Sequence, residues 1–236
     1  IETSHGTGRT KFLLACRDAH IVVFAPMADR DIYDRAKEVN PDLLILNLLD
    51  DAAGDIAIAT DDFQGGQLAA RRLYECGHRT HLAVTVPAPE DGLQHSFSNR
   101  AKGFLAEMMF LAPNCRIERW EVPLRRTRNS LPQKLKHKRR PSAVFATGLY
   151  FAKKTAAACS ASGLRIPEDI SLLGFDKPDC TEPPCDSIVF NPEQIVSWAE
   201  FFIMNRPVIK NGAPVHLLLD MKLETHGSVK RLNPTP

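Results

Sequence analysis

Apolar positions along this chain fall into short runs, and the stretches between them repeat apolar residues at helical spacing. Ile21–Ala25 (IVVFA), Leu43–Leu49, Asp55–Ala59 (DIAIA), Leu82–Val86, Ile117–Val122 and Ser142–Ala146 are runs of strand length. So are Ile170–Phe175, Ile188–Phe190 and a last stretch, Val215–Leu223. Runs this short and this continuously apolar suit strands covered on both faces. Ile1–Ser4 reads as the tail of a strand. Arg9–Cys16, Asp31–Val39, Gln64–Cys76, Asn99–Phe110, Leu149–Ser162 and Glu193–Met204 read as helices. Gly77 is a helix-stop residue, and Pro167 cannot continue the helix before it. Strands alternating with helices predict parallel sheets in doubly wound lobes.

Two places break the pattern. Leu43–Leu49 and Asp55–Ala59 are separated only by DDAAG, whereas a parallel crossover needs about a dozen residues. Either the two strands form a hairpin, or a helix and strand are absent between Leu49 and Asp55; the parallel surroundings favour absence. The second is Leu124–Arg140, LRRTRNSLPQKLKHKRR, a dense run of basic residues. It has no interleaved aromatics and contains a proline, so a solvated helix face is the expectation. A phosphate-contacting patch is the alternative.

Composition narrows the class. With 236 residues, 44% apolar, 25% charged and a net charge of +2, the chain is of globular type with no field that demands a polyanion. No apolar run reaches membrane-spanning length and no leader is visible, so a cytoplasmic protein without membrane contact is expected. The chain starts at Ile1 rather than Met, which leaves room for a leader or another domain. The six cysteines, Cys16, Cys76, Cys115, Cys159, Cys180 and Cys185, form no CxxC pair. Cys76 and His78 lack a second pair at zinc-like spacing, so free thiols, no metal and no cofactor are expected.

Candidate chemistry begins at Leu164–Asp176, LRIPEDISLLGFD. Gly174 permits close backbone approach, and Asp176 stands where a buried strand leaves its sheet. Ligands of open α/β sheets bind at that end of the strands. The alternative for Asp176 is a helix cap or loop anchor.

Four segments in order resemble the effector-binding domain of the lactose-repressor and galactose-repressor family of bacterial regulators. They are Asp61-Asp62-Phe63-Gln64-Gly65-Gly66 with Leu68-Ala69 and Gly77-His78-Arg79; then Arg100-Ala101-Lys102-Gly103-Phe104. Third comes Ser142–Ala146, running on to Ile166-Pro167-Glu168-Asp169-Ile170-Ser171 and Gly174-Phe175-Asp176; last, Pro183-Pro184 and Ser187–Pro192. The match covers about Asp55 to Ser228. The opening residues, Ile1–Ser4 with Gly8-Arg9, look more like the sensor domain of xylose-responsive regulators. The resemblance implies an α/β fold of two Rossmann-like lobes with parallel sheets joined by a three-stranded hinge, periplasmic-binding-protein-like, type I. One lobe would take 1–79 and 192–212, the other 80–191 and 213–236, with the effector between them.

The resemblance also implies site residues. Arg100 would reach the ligand from a helix start, its fork of donors suited to vicinal hydroxyls or a carboxylate; a surface arginine is the alternative. Asp176 would accept ligand hydroxyls. Phe63 would lie near the ligand as an apolar ring face, or else belong to the core. Ser96, one turn before Arg100, Asn191 and Ser4 complete the polar candidates. The family usually has Asn-Asp where this chain has Thr147-Gly148, and a second aspartate where it has Lys177. Both changes remove negative charge or hydrogen-bonding capacity, which suggests either an acidic or phosphorylated effector or a pocket that has drifted.

Three functions compete. The first is the sensing domain of a transcriptional regulator, a homodimer by family pattern, reading DNA only through a domain outside this chain. Its effector would be a sugar, sugar phosphate or related molecule. The second is a periplasmic sugar-binding protein of a transport system, which shares the fold. The third is an enzyme, disfavoured because no GxSxG, P-loop, HExxH or strand-following GxGxxG occurs.

Overall fold

The computed structural model of the protein describes residues 6–25, 30–49, 54–88, 95–124, 131–176, 185–206 and 214–232. The chain divides into two compact units, Ile1–Thr60 with Asn191–Leu219, and Asp61–Phe190 with Asp220–Pro236. Ile1–Ser4 and Lys177 lie outside the described residues.

In the first unit a four-stranded sheet runs β1 (Ile21–Phe24), β2 (Leu44–Leu48), β3 (Ile56–Thr60), β9 (Val215–Leu219), in that spatial order. Every pairing is parallel. Helices α1 (Gly6–Cys16), α2 (Arg30–Val39) and α7 (Pro192–Met204) accompany it. The amphipathic α2 buries Ile32 and Ala36, which pack with Phe12, Cys16, Leu43 and Ile45. Asp55 fixes the entry to β3. Its carboxylate accepts from the Tyr33 hydroxyl at 3.1 Å and the Ile45 amide at 2.7 Å, and pairs with Lys37 at 2.7 Å. Burial, reinforced by Asp55, pushes the Tyr33 phenol up to about 12. β2 and β3 pair in parallel with Leu46 opposite Ile56. That excludes the hairpin, although the connection is far shorter than an ordinary crossover.

The second unit is a six-stranded sheet in the order β10 (Lys222–Glu224), β8 (Asp186–Val189), β7 (Ser171–Phe175), β6 (Ala143–Ala146), β4 (His81–Pro87), β5 (Arg116–Val122). Only β10 is antiparallel to its neighbour. Helices α3 (Asp62–Glu75) and α4 (His95–Leu111) cover one face, α5 (Leu131–Leu135) and α6 (Leu149–Ala161) the other. β6 shows why its run is continuously apolar. Ala143 and Phe145 join one core with Leu73, Phe104 and Phe175, while Val144 and Ala146 join the other with Trp120, Phe151 and Leu172. The charge run 124–140 forms a helix only at Leu131–Leu135, anchored by buried Leu131 and Leu135; residues 125–130 lie outside the described residues.

Three features differ from expectation. The chain changes unit after Thr60, not after Arg79, because α3 packs along α4. A Cβ on Gly66 would fall on the Arg100 carbonyl, and one on Gly103 on the Phe63 carbonyl, so two glycines let the helix backbones touch. The run Val215–Leu223 is two strands: β9 pairs with β3 and β10 with β8, so the chain leaves the first unit after Leu219. Helix α4 starts at His95, four residues before the expected Asn99, and so carries Ser96 and Phe97.

His78 is buried in the second unit, between the Ser142 hydroxyl at 2.9 Å and the Lys230 carbonyl at 3.0 Å. It ties the end of α3 to the start of β6 and to the C-terminal segment. The five described cysteines are free. Burial pushes the Cys159 and Cys185 thiols up to about 11 each. Among the described residues no helix is long and apolar enough to cross a membrane, and no three His, Cys, Asp or Glu are grouped to hold a metal.

Candidate functional site

The chain leaves β4 through α4 for β5 on one side, then returns through α5 to β6 on the other side of β4. Strand order thus reverses between β4 and β6, and the crevice at such a reversal is where open α/β sheets bind ligands. The carboxyl ends of β4, β6 and β7, with the starts of α3 and α4, gather the candidate residues.

Arg100 is the centre. It is only 8% exposed, which excludes the surface arginine. Its Nε donates to Asp62 Oδ1 at 2.8 Å, and its Nη1 donates to the Thr147 carbonyl at 2.9 Å and to Asp176 Oδ2 at 3.4 Å. The guanidinium lies 3.8 Å from the Phe175 ring centroid and 5.4 Å from that of Phe97. A cation between aromatic faces and carboxylates keeps its geometry without water. Its Nη2 has no partner among the described residues, so two donors remain.

Each partner is placed by local structure. Asp61 caps α3, its carboxylate accepting from the Gln64 amide at 2.9 Å. Asp62 then falls in the first turn, where negative charge is favoured. Asp176 follows β7 with φ +69, a left-handed conformation that aspartate tolerates better than most residues. Its amide donates to Ile188 at 2.9 Å, and its side chain is 33% exposed. It is the part of the constellation most open to a ligand. One arginine faces two carboxylates, so the described charges favour hydroxyl donors over an additional anion.

The remaining candidates separate. Thr147 is buried and its hydroxyl donates to the Thr85 carbonyl at 2.8 Å, so this side chain joins β6 to β4 while its carbonyl holds Arg100. Gly148 makes room for an aromatic edge: a Cβ there would lie 2.8 Å from Phe97 Cε1 and 3.7 Å from Arg100 Nη1. Ser96 is half-buried on the first turn of α4, one turn before Arg100. Phe63 is exposed on α3 rather than part of the core. Asn191 belongs to the first unit, where its side chain accepts from the Glu193 amide at 3.0 Å and caps α7. Ser4 lies outside the described residues.

Sequence reasoning missed Asp62, Phe97 and Thr85. Asp62 stands inside a quoted motif, but nothing in its spacing names Arg100 as its partner. Phe97 lies three residues before Arg100, and that helical neighbourhood was a usable signal. The Thr85 hydroxyl is buried with no hydrogen-bond partner among the described residues, a leftover polar group that no pattern shows.

Comparison with known proteins identifies the family and the fold. Residues 70–206 match the family described as periplasmic binding protein-like domain. The HTH-type transcriptional repressor PurR of Edwardsiella ictaluri is 35% identical over 124 residues, 51% of this chain and 35% of that protein. The match therefore spans about a third of the length of such curated relatives. A LacI family transcriptional regulator from Enterococcus faecalis V583, crystallised with bound ribose, has a TM-score of 0.77 at 22% identity, covering 98% of this chain and 85% of that one. A periplasmic binding protein/LacI transcriptional regulator from Alkaliphilus metalliredigens QYMF, complexed with D-xylulofuranose, has a TM-score of 0.71 at 21% identity, covering 94% and 83%. At these identities the structural likeness carries the fold.

Proposed function

The chain belongs to the periplasmic-binding-protein-like domain family, and from that premise we propose that it is the ligand-sensing part of a bacterial transcriptional regulator with a small neutral sugar as effector. The observation that carries this is the Arg100 constellation at the strand-order reversal. Two guanidinium donors unspent among the described residues and the half-open Asp176 carboxylate offer a donor and an acceptor face together. Vicinal hydroxyls, each both donor and acceptor, satisfy the two faces at once. The names of the similar proteins support the regulatory half, and the ribose and xylulofuranose complexes support the sugar. The acidic effector suggested by Thr147-Gly148 is disfavoured, because the described site already holds one more carboxylate than arginine.

In this proposal the chain binds without turnover, acts in the cytoplasm as a homodimer, and reaches DNA through a separate module. The sugar shifts an equilibrium between two states only by its differential affinity for them. The test is a thermal-shift screen of neutral pentoses and hexoses beside sugar phosphates and purines. A sugar at about a hundred times its Kd adds about 2.7 kcal/mol to stability. For a chain of this size that is a rise of about 5–10 °C. A shift with acidic or phosphorylated compounds and none with neutral sugars would contradict the effector class.

A further inference from the structure

The basic run before β6 lines a cavity at the other end of the same sheet. Beside the starts of β4, β5 and β6 lies an open hollow of about 320 Å³ whose charged lining is Arg116, Glu118, Lys134, Arg139 and Arg140, with His137 beside them. β4 is seven residues long, and a strand rises about 3.3 Å per residue. The hollow is therefore about 20 Å from the Arg100 constellation, at the sheet end where doubly wound folds do not place their usual ligand.

The charges in the hollow do not balance. Glu118 is fully engaged, accepting from the Trp120 indole at 2.9 Å and His81 Nε2 at 2.9 Å, and pairing with Arg116 at 2.8 Å. These donors hold its carboxyl below the usual range, the Trp120 bond first. Arg116 offsets its charge. Lys134, Arg139 and Arg140 have no carboxylate within ion-pair distance among the described residues. Three cations on a concave wall repel one another and concentrate counter-anions. Their placement is fixed by packing: Lys134 rides on α5 between buried Leu131 and Leu135, its Nζ 5.7 Å from the Trp120 ring centroid. Arg139 and Arg140 lead directly into β6, and Arg140 also donates to the Asp169 carbonyl at 3.5 Å.

Size and shape select the ligand. The volume is at the lower end of small-molecule sites, about 300–1,000 Å³. A nucleic-acid surface would need an extended basic track rather than a hollow. Arginine forks match phosphate oxygens two at a time. We propose that this hollow is a second ligand site, separate from the sugar site, for a small molecule carrying multiple phosphate charges. This assignment stands independently of the proposed sugar sensing.

Calorimetric titration of inorganic pyrophosphate into the 236-residue chain at fixed ionic strength tests it. The expected result is saturable one-to-one binding, at least tenfold weaker in the Lys134→Ala/Arg139→Ala double variant and unchanged in Arg100→Gln. No saturable binding of pyrophosphate, equal affinity in the double variant, or loss in Arg100→Gln would overturn the site. Displacement of pyrophosphate by a short DNA duplex at lower concentration would overturn the small-molecule class. Thermal unfolding of the double variant, in which Arg139 is exposed and Lys134 half-buried, reports whether its fold is retained.

Discussion

In the proposed site the position of Arg100 is already decided before a ligand arrives. Asp62, the Thr147 carbonyl and Asp176 orient three of its five N–H bonds, and Phe175 fixes the plane. Arg100→Lys keeps the charge but loses the fork. Hydrogen bonds to charged groups contribute about 1.5–3 kcal/mol, so Kd for a bound sugar should rise about ten- to a hundredfold, measured by calorimetry. A different residue governs pH dependence. The Lys230 carbonyl can only accept, so His78 Nε2 carries the proton and Nδ1 accepts from Ser142. Burial lowers the His78 pKa from 6.5. The folded state therefore resists the proton that the unfolded chain takes up below that value. Its contribution to stability is complete above about 6.5 and is lost as pH falls. Urea unfolding at pH 7.5 and 5.5 should show a larger loss in wild type than in His78→Asn, bounded by about 1.4 kcal/mol per pH unit. His78 also shows what a linear string conceals. Its neighbour Cys76 prompts a metal question, whereas its partners stand 64 and 152 positions away.

At the scale of elements, the motifs turn out to record helix packing as much as ligand contact. Gly66 and Gly103 bring α3 and α4 into backbone contact, and that approach sets Asp62 beside Arg100. Gly66→Ala would drive a methyl group into the Arg100 carbonyl. Overpacking of this kind costs about 1–3 kcal/mol, and sugar affinity should fall with it although residue 66 is not a ligand contact. The last apolar run shows the limit of periodicity. Val215–Leu219 and Lys222–Glu224 follow one another with two residues between them, yet they join different sheets. The division is made by the Gln64 side chain, which accepts from the Met221 amide at 2.8 Å and donates to Asp220 at 2.9 Å. Asp186 closes the second unit in a similar way. It is fully buried, pairs with Arg72 at 3.2 Å, and accepts from the amides of His226, Gly227 and Ser228. Asp186→Ala would leave a half-buried arginine and three amides without their acceptor. A loss of about 3–5 kcal/mol is expected, read as a lowered denaturant midpoint.

At the scale of the molecule, alternation of apolar runs with helices was enough to specify parallel α/β sheets, because buried strands must be apolar on both faces. The order of four short segments was enough to specify the family. The unit boundaries were not legible, since they depend on which helix packs on which sheet. Of the candidate constellation, Asp176 and Arg100 were legible, where a strand end and a family motif coincide, and their neighbours Asp62, Phe97 and Thr85 were hidden. The most direct test is calorimetric titration of the neutral sugar that gives the largest thermal shift, into wild type, Arg100→Gln and Asp176→Asn. Each variant's melting midpoint is recorded beside its Kd. At least tenfold weaker binding in both variants, with cooperative unfolding retained, is the predicted result; undiminished affinity in both would contradict the assignment of the site.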